Sequence, residues 1–192
     1  MPKIYFLFPI IIIGGMLFYT FYVNKKFRSV KENVNVDELY NDFIEENYSD
    51  YSGMKFVASS FTEELGDAAK SWAKLGAKTL ALKAVGIRYS ETHEGPTHAL
   101  IAYDNDKIVI IPTYVDIMDG SISNDPEIDP IEFLDSDISG LKLSDNGVIV
   151  FKDSDGEKLV LKVTDKDFFQ KDQTAARDGF MHRIQNLKAR LG

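Results

Sequence analysis

Apolar residues run without interruption at the start of the chain. Residues 4–23, IYFLFPIIIIGGMLFYTFYV, hold no charged side chain. Twenty residues at about 1.5 Å of helical rise each reach about 30 Å, the thickness of a bilayer core. Tyr5, Phe6, Tyr19 and Tyr22 lie near the two ends, where an interfacial aromatic belt would sit. Pro9 is tolerable near the start of such a helix, and Gly14-Gly15 would let a second helix approach closely. A cleavable signal peptide fits less well. Its apolar core spans about 7–15 residues before a small-residue cleavage site, whereas this stretch is longer and ends in Tyr-Val-Asn-Lys-Lys. The pattern predicts a retained single-pass anchor with a basic flank over 1–31, then one domain over 32–192.

Beyond the anchor the pattern becomes periodic. Asn35 or Asp37 can cap a helix running to about Tyr48, with Leu39, Phe43 and Ile44 on one face. Residues 54–58 read as a short strand. Ser60-Phe-Thr-Glu63 fits a capping box, and Leu65, Ala69, Trp72, Gly76 and Leu80 then recur at helical spacing, so a long helix is expected to Gly86. Trp72 falls on its apolar face, a core position. Residues 86–90 read as extended and 91–97 as a polar loop. His98–Tyr103 and Lys107–Thr113 read as strands joined by Asp104-Asn105-Asp106.

Residues 114–130 read as an acidic loop, and Asp129-Pro130 as the start of a short helix to about Asp135. Val148–Lys152 and Glu157–Val163 alternate as a hairpin around Asp153-Ser-Asp155-Gly156. A last helix is expected over about 172–190, with Ala176, Phe180, Ile184, Leu187 and Leu191 as its apolar stripe. Its basic residues Arg177, His182, Arg183, Lys188 and Arg190 read as an ordinary polar face; lying on an anionic membrane is the other option. The fold class is α+β, with a long helix packed on an antiparallel sheet.

Charge divides the chain in the same place as hydropathy. Residues 1–31 carry five basic side chains and no acid, which leaves 17 basic and 30 acidic residues for the body. So acidic a body is poorly suited to a phosphate backbone, and nucleic acid is not an expected partner. Lys25, Lys26, Arg28 and Lys31 outweigh Lys3, which places the domain on the cytoplasmic side by the positive-inside rule. The absence of cysteine excludes a thiol nucleophile, a disulfide and a thiolate-bound zinc.

Three segments carry a resemblance: ELGDAAKSWAKLGAKTLALKAVGIR, THALIAYDNDKIVIIPT and IDPIEFLDSDISG. Together, over residues 60–135, they resemble the papain-like core of transglutaminase-like domains and double-glycine leader peptidases, which implies a core over about 54–163. The resemblance implies a nucleophilic Cys at the start of the long helix, a His opening a strand and an Asp ahead of Pro-Thr on the next strand. In the leader peptidases a short Glu-Phe-Leu helix and a glycine follow, like Glu132-Phe133-Leu134 and Gly140 here. In this chain the Cys position falls on Leu65, the His position on His98 and the Asp position on Ile111. Leucine has no proton to give and isoleucine cannot orient an imidazole, so the triad mechanism is lost. The resemblance then implies a pseudoenzyme: an accessory or scaffolding subunit that binds a protein partner at the bilayer, without a cofactor.

Two alternatives keep some chemistry. Ser60, with Ser59 beside it at the head of the expected long helix, pairs with His98 in a serine-type hydrolase, with Asp116 or Asp119 as orienter. Capping alone also accounts for Ser60. His93 and His98 with Glu91 and Glu94 hold metal-ligand chemistry, but their spacing matches no known ligand motif. Asp153–Gly156 resembles the opening of a calcium loop yet lacks its closing Glu, and a turn fits better. The acidic stretch 116–137 reads as solvated, with a basic partner or weak calcium as the other option.

Overall fold

The computed structural model describes residues 7–61, 98–126, 128–153, 156 and 158–191. Helix α1 spans Leu7–Asn33 and helix α2 spans Val36–Asn47. Asn35 sits between them as the α2 N-cap with extended backbone, and its amide donates to Glu38 Oε2 at 3.1 Å. Asp37 and Glu38 in the first turn of α2 suit the positive end of the helix dipole. Tyr40, Phe43 and Ile44 form the buried face. The expected helix over 35–48 is therefore present.

The described residues form eight strands: β1 Lys55–Phe61, β2 His98–Tyr103, β3 Lys107–Asp116, β4 Ser121–Ser123, β5 Ile131–Leu134, β6 Ile138–Leu143, β7 Val148–Asp153 and β8 Lys158–Lys162. Helix α3, Thr174–Leu191, closes the chain. The sheet is antiparallel in the order β4-β3-β2-β1-β8-β7-β6, with β5 pairing the first half of β3. It consists of two meanders, β1-β2-β3 and β6-β7-β8, joined edge to edge through β1 and β8. The α+β class, the antiparallel sheet and the C-terminal helix all match expectation.

Two apolar layers sandwich the first meander. On one face Ile101, Ile108 and Ile110 pack with Phe151, Leu161 and the α3 residues Phe180, Ile184 and Leu187. On the other, Leu100, Ala102, Val109 and Ile111 pack under Tyr40, Phe43 and Ile44 of α2 and under Phe168 and Phe169. Arg183, expected on the polar face of the last helix, is buried; its Nε donates to the Asp104 carbonyl and its guanidinium pairs with Asp135. Leu191, expected in the apolar stripe, is 42% exposed.

Four segments depart from expectation. Ser60 does not cap a helix: Ser59, Ser60 and Phe61 continue β1, because Ala99 and His98 of β2 supply ladder partners that outweigh the local capping pattern. The Ser59 hydroxyl donates to the Ala99 carbonyl instead. Residues 131–134 form strand β5, not a helix. Four residues cannot recover the cost of helix nucleation, whereas Lys107–Ile110 offer a full ladder. Strand β6 was not expected, since Ser139 and Gly140 interrupt its alternation and a bulge shifts its register between Ile138 and Gly140. The expected loop over 114–130 holds the end of β3 and all of β4.

The body of the expected long helix, with Leu65 and Trp72, lies outside the described residues, as do the extended piece at 86–90 and the loop at 91–97. The expected anchor begins ahead of the described residues. Among the described residues, no helix is long and apolar enough to cross a membrane. Helix α1 runs on past Lys31, and Val30 and Val34 pack against the α2-side core, so no linker separates α1 from the domain.

Candidate functional site at the seam of the sheet

Strand β1 is paired unequally on its two edges. Against β2 it runs in register over six positions, Lys55 to Ser60. Against β8 only Ser60↔Lys162 and Phe61↔Leu161 pair. Where β8 departs, the side chain of Gln173 takes its place. The Ala58 N–H donates to Gln173 Oε1 at 3.0 Å, and Gln173 Nε2 donates to the carbonyls of Ala58, Thr164 and Lys166 at 2.9–3.0 Å. One amide thus satisfies backbone groups that a strand would otherwise satisfy.

A cleft of about 230 Å³ opens at this seam. Strand registers set one row of side chains here: Thr113 on β3 opposite His98 on β2, His98 opposite Ser60 on β1, and Ser60 opposite Lys162 on β8; His98, Ser60 and Lys162 line the cleft, and Thr113 is buried behind His98's strand. Directly opposed residues share a face, with Cβ atoms about 4.5–5.5 Å apart. Lys166, Asp167 and Phe168 enter the cleft from the segment after β8. The His98 ring meets Phe168 edge to face, with centroids 5.3 Å apart and planes at 82°.

Burial shifts two titrating groups of the cleft. It pushes the His98 imidazole below its ordinary value of 6.5, so the ring is neutral at neutral pH. Burial also raises the Asp167 carboxyl, outweighing the N–H groups of Lys171 and Phe169 that donate to its Oδ1 at 2.8 Å. Gln170 has φ 61, in the left-handed region, and its N–H donates to the Asp167 carbonyl to close the turn. Thr113 is fully buried, and its hydroxyl has no hydrogen-bond partner among the described residues.

The sequence-derived candidates separate on this frame. Ser60 and His98 are brought together, while Leu65, His93, Glu91 and Glu94 lie outside the described residues. Ile111 is fully buried opposite Leu100, two positions along β3 from Thr113. Asp116 lies three residues from Thr113, hence on the opposite face and about 10 Å along the strand. Its carboxylate accepts the N–H groups of Met118 and Asp119, and Asp119 pairs with Lys26 at 2.7 Å. Neither acid is placed in the cleft.

Two further acids of the stretch hold structure: Glu132 accepts the Tyr51 hydroxyl at 2.5 Å, and Asp135 binds Arg183 and Arg190. Among the described residues no group of three or more His, Asp or Glu is arranged to hold a metal ion. Lys162, Asp167, Phe168 and Gln173 were not anticipated. Their sequence context, KVTDKDFFQKDQ, carries no motif, and only the register of β8 against β1 brings them to the site.

The row can accept, donate and hold a neutral imidazole beside a hydroxyl. Acyl transfer needs more: a group that orients the base and donors that converge on an oxyanion. Strand β1 is paired on both edges at Ser60, and His98 is braced by an aromatic ring. No protein-family model matches the chain, and no curated protein is found similar to it.

Proposed function

We propose that this protein is a membrane-anchored, non-catalytic interaction domain, an accessory or scaffolding subunit that holds a protein partner at the membrane through the seam cleft. The observation that carries this reading is the α1 surface. Ile12, Ile13, Met16, Leu17, Phe18, Tyr19, Phe21 and Tyr22 are all more than 40% exposed on one continuous helix, a larger apolar surface than a water-soluble monomer shows. With residues 4–11 added, the stretch matches a bilayer in length. The Lys25–Lys31 cluster supports a cytoplasmic side for the domain.

The non-catalytic part rests on Ile111 standing where the papain-like pattern needs an acid, and on a cleft with no orienting carboxylate from the expected stretch. Alkaline carbonate extraction of the expressed full chain tests the anchor. The chain stays with the membrane pellet, and a chain lacking residues 1–31 is released; release of the full chain overturns the reading. The papain-like relationship has its own test, because the chain has no cysteine of its own. A Leu65→Cys/His98→Cys variant forms a disulfide only if the two Cα atoms approach within about 7 Å.

A second reading, a serine-type hydrolase, is favoured by the Ser60–His98 opposition. Labelling by a fluorophosphonate that Ser60→Ala abolishes would establish it and displace the non-catalytic reading.

A further inference from the structure

We infer that the β3–β4 turn rests in the interfacial layer of the membrane, so that the domain is docked on the bilayer surface in one orientation and not merely tethered to it. This rests on the anchor proposed above. The turn, residues 117–120, is clamped to α1 at two levels. Gly120 has φ +71 and lies so close to the helix that a Cβ there would meet Val34 Cγ2 at 2.7 Å and Val30 Cγ1 at 3.0 Å. One residue earlier, Asp119 pairs with Lys26 at 2.7 Å.

Lys26 lies three residues after Val23, the end of the apolar stretch, which is about 4.5 Å of helix rise. Each headgroup layer is about 5–8 Å deep. The Gly120 side of the turn packs at Val30, about 10.5 Å of helix rise past Val23 and just beyond that layer, while the Asp119 side reaches up to the Lys26 ammonium within it. The tip of that turn is Ile117, 43% exposed, beside the half-buried Met118. The acids that would oppose insertion are occupied: Asp116 accepts two N–H groups of the turn, and Asp119 holds Lys26. Lys25 and Arg28 stay exposed on α1 and can meet lipid phosphates. The row of His98 and Thr113 sits on the same end of the sheet, since Thr113 precedes the turn by four residues. The cleft is therefore carried on the end of the sheet nearer the membrane, within reach of a membrane-bound partner.

The test uses the full chain in phosphatidylcholine–phosphatidylglycerol vesicles, with an environment-sensitive fluorophore on single cysteines and brominated lipids as quencher. Three exposed apolar positions are compared: L17C in the anchor, I117C at the turn, and L134C, which pairs with Lys107 at the far end of β3, about 30 Å from the turn. The expected result is strong quenching at 17, loss of roughly half the emission at 117, and none at 134. G120L, which forces the turn away from α1, lowers quenching at 117 and leaves 17 unchanged. If 17 is quenched while 117 behaves like 134, the docking inference fails and the anchor stands. If 17 is not quenched, the anchor reading fails and takes the docking with it.

Discussion

The meander β1-β2-β3 is covered on both faces, by α3 on one side and α2 on the other, whereas β6-β7-β8 is covered on one. The difference is visible strand by strand. In β2 every residue after His98 is buried, but β8 alternates exposed Lys158 and Lys162 with fully buried Leu159 and Leu161. A strand between two apolar layers needs apolar residues at every position; a strand with one wet face needs them at every second. The two halves meet through two ladder pairs and one glutamine, and the cleft lies there. The lesson is that the site forms where ladder pairing is thinnest, since backbone engaged in a full ladder leaves no room for a cleft.

The largest effect that would break this comparison comes from the doubly covered half. Leu100→Ala should cost about 2–5 kcal/mol in denaturant unfolding, because the cavity lies between β2 and the α2 layer with no route for collapse. The matching change at Val160, on the partly exposed face of β8, should cost well under half as much. Equal costs would mean that the halves are not differently buried.

Next is the seam. Gln173→Leu leaves the Ala58 N–H and three carbonyls without their partner, an expected loss of about 2–4 kcal/mol. Hydrogen exchange should accelerate first at Ala58 and in β8, ahead of β2 and β3. Uniform acceleration would show that Gln173 does not hold the seam in particular.

Smaller effects come from the titrating groups of the cleft. His98 has a lowered folded value, so the unfolded chain binds more protons as pH falls below 6.5. Stability contributed by the neutral ring is therefore present above 6.5 and lost on acidification through the folded value. Asp167 is raised, so its ionisation costs stability as pH rises above 3.8, and acidification relieves that cost. His98→Gln should flatten the stability profile just below pH 6.5, and Asp167→Asn, which keeps the Oδ1 acceptor, should flatten it above pH 3.8. A profile unchanged by either variant would refute the burial of both groups.

The smallest effect is Ser60→Ala. A half-buried hydroxyl beside a cleft should change stability by about 0.5 kcal/mol or less. A loss above about 2 kcal/mol would mean that the hydroxyl holds the seam together.

Much of the fold could be read along the chain. Helices α2 and α3, the strands opening at His98 and Lys107, and the β7-β8 hairpin follow from local period, turn residues and caps. Those signals lie within about ten residues of one another. The exchange at Ser60 shows where local signal stops. Its capping box is chemically sound, yet β2, nearly forty residues away, recruits the segment into a ladder. The four residues of β5 show the same limit, since Asp-Pro opens a helix or a strand equally well and the ladder with β3 decides between them.

The candidate site was half legible. His98 and Ser60 were singled out by residue type, but their opposition depends on the register between β1 and β2. Lys162, Asp167 and Phe168 joined them because β8 returns to β1 after the second meander. By itself the sequence determined the apolar start, the acidic body, the α+β class and which faces of its strands are apolar, because each depends on composition or on a period of a few residues. Only the tertiary structure decided which strands meet, where the ladder ends and which side chains share the cleft, because register is set by contacts between residues far apart in the chain.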